Sequence, residues 1–443
     1  MMSARLSAAL SSITTLLILA LLIRNITAIG ILAPLDPNEG WNAAHTLLLL
    51  AKGTPYPPPH GLMINNYPPL SFYLVGALTL WTGDAVIAGR VLSLLSFLAA
   101  SIGIASVCRH MGCGSRARIC AAMFFAAVLL VCSDYVGMDD PQLLGHALQF
   151  FGLALLLRKR IVAAALIFSA SLFFKHNLLA LPLAAAVWLL WRDRHAAWRF
   201  IGCGAAVSGA GLILFHWAYG FSLVSVLSSP RHVSLANAIF AASHLWWAVF
   251  PLAVLAVSRS SWKDFCLIYA GSALMLGLAF SAGDGVDANA FFDLAAACAM
   301  ALGLEVEQSR RPLLAALCAA PLPLFLAFNF HDNNFFFTRD FAVQSKRDVA
   351  FLKSQPGPAL CDQLSLCLWA GKGAQVDVFN VGEQIKSGAW DGASLAKMIA
   401  QRRFAVVQLV DLDGLGPSVR IALERNYRIH HSDDNGHFLT RLP

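Results

Sequence analysis

Leu35-Asp36-Pro37-Asn38-Glu39-Gly40-Trp41 follows directly on an apolar segment, Leu10–Ala33, that is long enough to cross a membrane. The two carboxylates are therefore expected at the depth of the lipid headgroups, where an ionisable side chain is costly to desolvate. A pair of acids at that depth seldom serves only to solubilise a loop. Asp36 and Glu39 are the first candidate functional residues.

The loop that contains these acids, residues 34–69, includes two proline-rich stretches. Tyr56-Pro57-Pro58-Pro59 and Tyr67-Pro68-Pro69 stop helices because proline lacks the backbone donor and restricts its neighbour. Between the acids and these prolines runs Asn42–Ala51, which is apolar but too short to span a bilayer. We expect a helix lying in the membrane interface.

The composition is that of an integral membrane protein. Hydrophobic residues make up 58% of the 443 residues and charged residues 13%, with a mean hydropathy of +0.64. The net charge of +7 comes from short clusters between apolar runs, the pattern of topology determinants. No basic groove with stacking aromatics is indicated, so nucleic acid is not an expected partner. The ten cysteines show no metal-ligand spacing.

The distribution of charge predicts about eleven spans. If Leu70–Trp81 stays in the outer interface, every basic cluster falls on the same side as the N-terminus, the cytoplasm, and the acidic loops fall on the other. The predicted spans are Leu10–Ala33, Val86–Val107, Ala117–Ser133, Leu143–Leu157, Ile161–Phe174, Leu178–Trp191, Phe200–Trp217, Leu245–Val257, Phe265–Ala282, Ala290–Leu304 and Pro312–Phe328.

The chain changes character after Phe328. We expect a membrane domain over residues 1–330 and a small α/β domain over residues 331–443, on the outer side of the membrane. Helices are predicted at Asp340–Ser354, Leu395–Arg403 and Ser418–Arg425, and strands at Ala359–Cys361, Val376–Phe379, Phe404–Val410 and His437–Arg441. Outside the cytoplasm Cys361 and Cys367 could pair, although the scatter of the other cysteines is typical of free thiols.

The order of these features resembles a known family. One span leading to an acidic loop, then Tyr67-Pro68-Pro69-Leu70, then Ala88-Gly89-Arg90-Val91-Leu92-Ser93 opening the next span, is similar to the GT-C membrane glycosyltransferases. Among these the chain is most similar to the protein O-mannosyltransferases and the lipid A aminoarabinose transferases. Residues 282–289 with Asp293 resemble an outer-loop motif of the bacterial members.

The resemblance implies a polytopic helical fold in a bacterial inner membrane, with the C-terminal domain in the periplasm. It implies a hexosyl or pentosyl donor carried on a polyprenyl phosphate, membrane lipid around the site, and a glycan, lipid or protein acceptor. The family's catalytic acid maps onto Asp36, with Glu39 close behind; the family's usual pair is adjacent, whereas here Pro37 and Asn38 intervene, so either acid could be the base. Asp139 and Asp140 resemble a second acidic position, for the acceptor or a divalent cation. No other cofactor is implied.

Other site residues follow from the chemistry of the transfer, in which a departing phosphate needs positive charge. Lys175 is the first choice, because a lone lysine between two short spans must find a counter-charge, and His176 and Arg90 are the second choices. Candidate sugar contacts are Tyr67, Asp284, Asp287 and Asn289.

Each of these residues also has a purely structural interpretation. Asp36 and Asp140 suit the starts of helices, while the cations, among them Arg231, could extend to the headgroups.

Two other classes of function stay open. A transporter or flippase of a lipid-linked substrate predicts acids near mid-span and paired interrupted helices in related halves. A non-catalytic assembly protein predicts that Asp36 and Lys175 tolerate replacement. Within the enzyme class, an oligosaccharyltransferase with a diphosphate carrier would need more clustered acids than this sequence offers.

Overall fold

Long apolar helices dominate the computed structural model, which describes residues 2–58, 61–309, 317–328 and 339–443. Up to Phe328 the elements are α1 Met2–Ala28, α2 Pro37–Lys52, α3 Leu70–Thr82, α4 Ala85–His110, α5 Ser115–Val131, α6 Ser133–Gly137, α7 Gln142–Leu157, α8 Ile161–Leu172, α9 Ala180–Arg192, α10 Arg194–Tyr219, α11 Leu223–Leu227, α12 Leu235–Ser243, α13 Trp246–Val257, α14 Lys263–Ser281, a 3-10 turn Ala288–Phe291, α15 Phe292–Ser309 and α16 Pro321–Phe328. The predicted polytopic helical architecture is confirmed.

Five described helices are long and apolar enough to cross a membrane, and six if α12 and α13, which meet at a 74° bend, form one span. Four shorter apolar helices accompany them: Leu70–Thr82, Gln142–Leu157, Ile161–Leu172 and Ala180–Arg192. The count of eleven includes such short helices, so it stays a prediction. The start of the last predicted span and the boundary at residue 330 lie outside the described residues.

The core of the membrane domain is built around α15, because 89% of the most apolar stretch within residues Ala288–Ser309 is buried. Alanine and other small residues along one helix let its neighbours approach closely, which is how helices associate where lipid competes for apolar contact. Gly303 is one such position, since a side chain there would meet Ala121 at 3.0 Å. This packing fixes the helices that carry the polar loops at their ends.

The C-terminal α/β domain contains α17 Arg339–Ser354, β1 Ala359–Cys361, α18 Leu364–Trp369, α19 Val378–Lys386, α20 Ala393–Ala400, β2 Val406–Leu409, α21 Gly416–Asn426, β3 Tyr427–Asp433 and β4 Gly436–Arg441. Its sheet has the order β1-β2-β4-β3, with β1 and β2 parallel and the other pairs antiparallel. A disulfide joins Cys361, at the end of β1, to Cys367 in α18. The mixed α/β prediction is confirmed.

Several details of this domain correct the sequence-based expectation. Val376–Phe379 was predicted as a strand but leads into α19, because Asp377 caps that helix by accepting a hydrogen bond from the Asn380 amide at 3.0 Å. Helix α18 and strand β3 were not predicted. Strand β3 is exposed on most of its residues, so it lacks the apolar alternation that marks a half-buried strand.

Candidate functional site

A cavity of about 940 Å³ lies between loops of the membrane domain and the C-terminal domain. Asp36 at the start of α2, Lys175 in the α8–α9 turn and the loop after α14 line one part of it. The C-terminal domain lines the rest. Lys175, which the sequence places between two short apolar segments, lies on the wall of this cavity.

Asp36 lies on the cavity wall and also caps α2. Its Oδ1 accepts a hydrogen bond from the Asn38 amide at 2.7 Å, so the structural and the functional interpretations of this residue are compatible. Burial raises the pKa of Asp36 to about 7, and the nearby carboxylates of Asp134, Glu39 and Asp140 add to that effect. A carboxyl with such a pKa can accept and release a proton near neutral pH.

Glu39 and Arg90 form a buried pair away from this cavity. Both side chains are 0% exposed, and Arg90 Nε donates to Glu39 Oε2 at 2.9 Å. Arg90 also donates to the backbone oxygens of Ala28 and Ala33. The pair therefore fastens the end of α1 to α2 and α4. This position favours a structural role for Glu39 and Arg90 over proton transfer or phosphate binding, the roles expected from the sequence.

Lys175, an isolated charge in the sequence, is paired with a carboxylate in the structure, that of Asp140. Its Nζ lies 3.1 Å from Asp140 Oδ2 and donates to the Tyr67 hydroxyl at 2.6 Å. Lys175 and Tyr67 line the cavity. Asp140 also accepts from the Gln142 amide at 2.7 Å, as its helix-start interpretation predicts. Its neighbour Asp139 is buried, and one of its carboxylate oxygens has no hydrogen-bond partner.

His176 and Asn177 follow Lys175 on the cavity wall. His176 Nδ1 and Asn177 Oδ1 are buried and have no hydrogen-bond partner. Buried polar atoms are normally paired. These two atoms are therefore available to a ligand in the cavity.

The sequence suggested that Arg231 extends to the lipid headgroups, and it was not among the predicted site residues. It lines the cavity, donates to the Asp284 carbonyl oxygen at 3.2 Å and lies over the Phe379 ring at 5.6 Å. Among the described residues it has no salt bridge to a carboxylate, unlike Lys175. A signal was present in the sequence: Arg231 is a basic residue in a loop that the charge pattern places on the outer side.

The loop after α14 divides its predicted sugar contacts between two cavities. Asn289 lines the 940 Å³ cavity, and Asp287 lines both this cavity and a second one. Asp284 instead accepts from Asn237 Nδ2 at 2.8 Å and lies 3.8 Å from Lys386 Nζ, beside a largely apolar cavity of about 570 Å³. The two cavities share Phe379, whose ring occupies the space next to Gly285.

The C-terminal domain contributes polar groups that the sequence did not associate with the site. Asp362, Asp377 and Asn380 line the cavity. Asp377 accepts from Trp41 Nε1 at 2.8 Å, which ties the domain to α2. Burial raises the pKa of Asp377 to about 6. The C-terminal domain thus contributes two acids and an amide to a cavity whose basic side chains, Lys175, His176 and Arg231, come from the membrane domain.

Within the described ranges, Asp139 and Asp140 do not belong to a group of three or more potential metal ligands. The predicted divalent cation at this acidic position remains a prediction.

The fold is that of solved GT-C enzymes. ArnT from Cupriavidus metallidurans bound to undecaprenyl phosphate is similar, with a TM-score of 0.63 and 12% identity over 96% of this chain and 97% of that one. Its apo state gives 0.62 over the same shares at 12% identity. The Archaeoglobus fulgidus oligosaccharyltransferase in complex with zinc and sulfate gives 0.50 at 12% identity, over 98% of this chain and 73% of that one. No family model matches, and no curated protein matches.

Proposed function

We propose that this protein is a glycosyltransferase that moves a hexosyl or pentosyl group from a polyprenyl-phosphate carrier to an acceptor glycan, lipid or protein. The observation that carries the proposal is one cavity, in a GT-C fold, that holds both an acid with a pKa near neutrality and an arginine without a carboxylate partner among the described residues. The similar ArnT binds undecaprenyl phosphate, which supports a carrier of this class.

Asp36 is the proposed general base. In direct inverting transfer the acceptor oxygen or nitrogen forms a bond to the anomeric carbon while the bond to the carrier phosphate breaks. The acceptor's proton passes to a carboxylate at the same time. Asp36 faces the cavity, whereas Glu39 is held by Arg90 outside it. Position therefore favours Asp36 of the two acids.

Arg231 is the proposed principal contact for the carrier phosphate, assisted by His176 and Lys175. The departing phosphate gains charge in the transition state, so a cation fixed beside it lowers the barrier. The charge of Lys175 is already balanced by Asp140 at 3.1 Å. The charge of Arg231 is stabilised by a carbonyl oxygen and an aromatic face, which leaves it to attract an anion.

The proposed setting is the periplasmic face of a bacterial inner membrane, with the N-terminus in the cytoplasm. The grouping of basic loops on the N-terminal side supports this orientation. The Cys361–Cys367 disulfide supports it too, since such bonds persist outside the reducing cytoplasm.

The test is transfer of radiolabelled sugar from a panel of polyprenyl-phosphate sugars in membranes that contain the wild type or Asp36→Asn. Asparagine is as good a helix cap as aspartate, so the variant keeps α2 and removes only the base. We expect a loss of about 10²-fold or more in rate. Asp391→Asn, on an exposed residue of the C-terminal domain, is the matched control and should transfer like the wild type.

Equal transfer by Asp36→Asn and the wild type would exclude Asp36 as the base. Absence of transfer from every donor would contradict the proposed function itself.

A second variant, Arg231→Gln, tests the phosphate contact. It should weaken binding of the polyprenyl phosphate at least tenfold, while Arg428→Gln on exposed β3 should not.

A further inference from the structure

Three side chains of the C-terminal domain bring metal-ligand atoms together away from the cavity. One oxygen of Asp348, one oxygen of Asp433 and one ring nitrogen of His431 all lie within 4.8 Å of one another. His431 Nε2 is 3.2 Å from Asp348 Oδ1 and 3.7 Å from Asp433 Oδ2. The Asp348 side chain is 3% exposed and the other two are partly buried.

The sheet explains why these residues meet. His431 and Asp433 are two residues apart on β3, so their side chains point to the same face of the sheet. The register of the β3–β4 pair shifts between Ile429 and His431, and such an irregularity re-aims the side chains that follow it. Asp348 reaches the same face from α17.

Asn435 donates hydrogen bonds to the carboxylate oxygens of Asp348 and Asp433 that do not face His431. Its side-chain amide donates to Asp348 Oδ2 at 2.7 Å, and its backbone amide donates to Asp433 Oδ1 at 3.0 Å. Asn435 is itself 1% exposed, and its amide also donates to Ser345 Oγ at 3.0 Å. The second oxygen of each carboxylate is thereby directed toward His431. Fixed partners behind the ligands are the usual support of a protein metal site.

The orientation of the His431 ring is fixed as well. The ring stacks on Phe438 with centroids 4.4 Å apart and an interplanar angle of 8°. Its Nδ1 lies 2.9 Å from His430 Nδ1, so the tautomer of His431 with the proton on Nδ1 can donate a hydrogen bond to His430. In that tautomer Nε2 presents its lone pair to the two carboxylates, as a metal-binding imidazole does.

We propose that Asp348, His431 and Asp433 bind a divalent transition-metal ion of the Zn²⁺ type. One imidazole and two carboxylates suit such an ion, which at sites with an open position takes three protein ligands and a water. Ca²⁺ and Mg²⁺ prefer oxygen ligands alone. The bound ion neutralises two facing carboxylates and ties α17 to the β3–β4 hairpin. This site does not depend on the proposed transferase activity.

The experiment is titration of the full-length, detergent-solubilised, chelator-stripped protein with Zn²⁺ by calorimetry. We expect about one high-affinity ion per chain and a rise in the thermal unfolding midpoint on binding. Co²⁺ provides a second readout, because the visible absorption of the bound ion reports its ligand geometry. Ca²⁺ should bind at least tenfold more weakly.

The variants separate this site from surface binding. His431→Ala and Asp433→Asn should abolish the high-affinity event, and Asn435→Ala should weaken it by roughly 10–100-fold, as for other partners behind a metal ligand. Asp434→Asn, on the exposed neighbouring acid, should bind like the wild type. Absence of high-affinity Zn²⁺ binding to the wild type, or binding unchanged by His431→Ala, would overturn the proposal.

Discussion

Trp41 Nε1 donates a hydrogen bond to Asp377 Oδ2 at 2.8 Å, across 336 residues of sequence. Trp41 is on the helix that Asp36 caps, and Asp377 is on the cavity wall formed by the C-terminal domain. This bond places the C-terminal domain in direct contact with the helix that positions the proposed base. The domain is therefore part of the site.

Replacing Trp41 with phenylalanine tests that contact, because it keeps an aromatic ring and removes the donor to a buried carboxyl. We expect a loss of about 1–3 kcal/mol in the free energy of unfolding. The loss should be larger at pH 8 than at pH 5: burial raises the pKa of Asp377 to about 6, so the charged form that needs the donor predominates only above that pH. Denaturant unfolding at the two pH values measures this. Trp81→Phe, on a residue that is 88% exposed, should have no comparable effect.

Gly40 is a second point of contact between α2 and the C-terminal domain. A side-chain carbon on Gly40 would lie 2.3 Å from the Ser365 backbone nitrogen. Gly40→Ala must therefore push α18 away from α2, at a cost of about 1–3 kcal/mol. We expect faster proteolysis of the C-terminal domain and reduced transfer. Gly30→Ala is the control, since nothing lies within 4 Å of a side chain there; equal proteolysis of the two variants would contradict the contact.

The rate of transfer should depend on pH through Asp36. A general base acts in its ionised form, and burial raises the pKa of this carboxyl to about 7. At pH 6 only about one tenth of it is ionised, so the rate should rise roughly tenfold between pH 6 and pH 8 and then level off. A pH profile of kcat/KM measures this. A midpoint near pH 4 would show that the acting carboxyl has an ordinary pKa.

The Lys175–Asp140 pair should stabilise the turn that carries His176. Both side chains are nearly fully buried, and removing one partner of a buried pair leaves an uncompensated charge. Lys175→Met should cost about 3–5 kcal/mol in the free energy of unfolding. The double variant with Asp140→Asn should recover much of that loss. Arg192→Met, which breaks the exposed Arg192–Asp264 pair, should cost less than about 1 kcal/mol.

The sequence alone determined the class of protein, most helix positions and several groups at the site. Hydropathy and helix length are local properties, because a membrane helix satisfies its backbone hydrogen bonds within its own segment. The need of Lys175 for a partner was also predicted from a local pattern, because an isolated charge between apolar helices must be paired.

Only the tertiary structure decided which polar residues share a cavity. Glu39 and Asp36 are three residues apart, yet Glu39 turns to Arg90 while Asp36 faces the cavity. The contribution of Asp377 depends on a hydrogen bond across 336 residues, and Arg231 is distinguished by having no salt bridge to a carboxylate among the described residues. These are long-range contacts, and hydropathy and periodicity record only local ones. Burial and pairing set the charge and reactivity of each group. They are therefore determined only by the tertiary structure, in which the loops and the C-terminal domain surround the cavity.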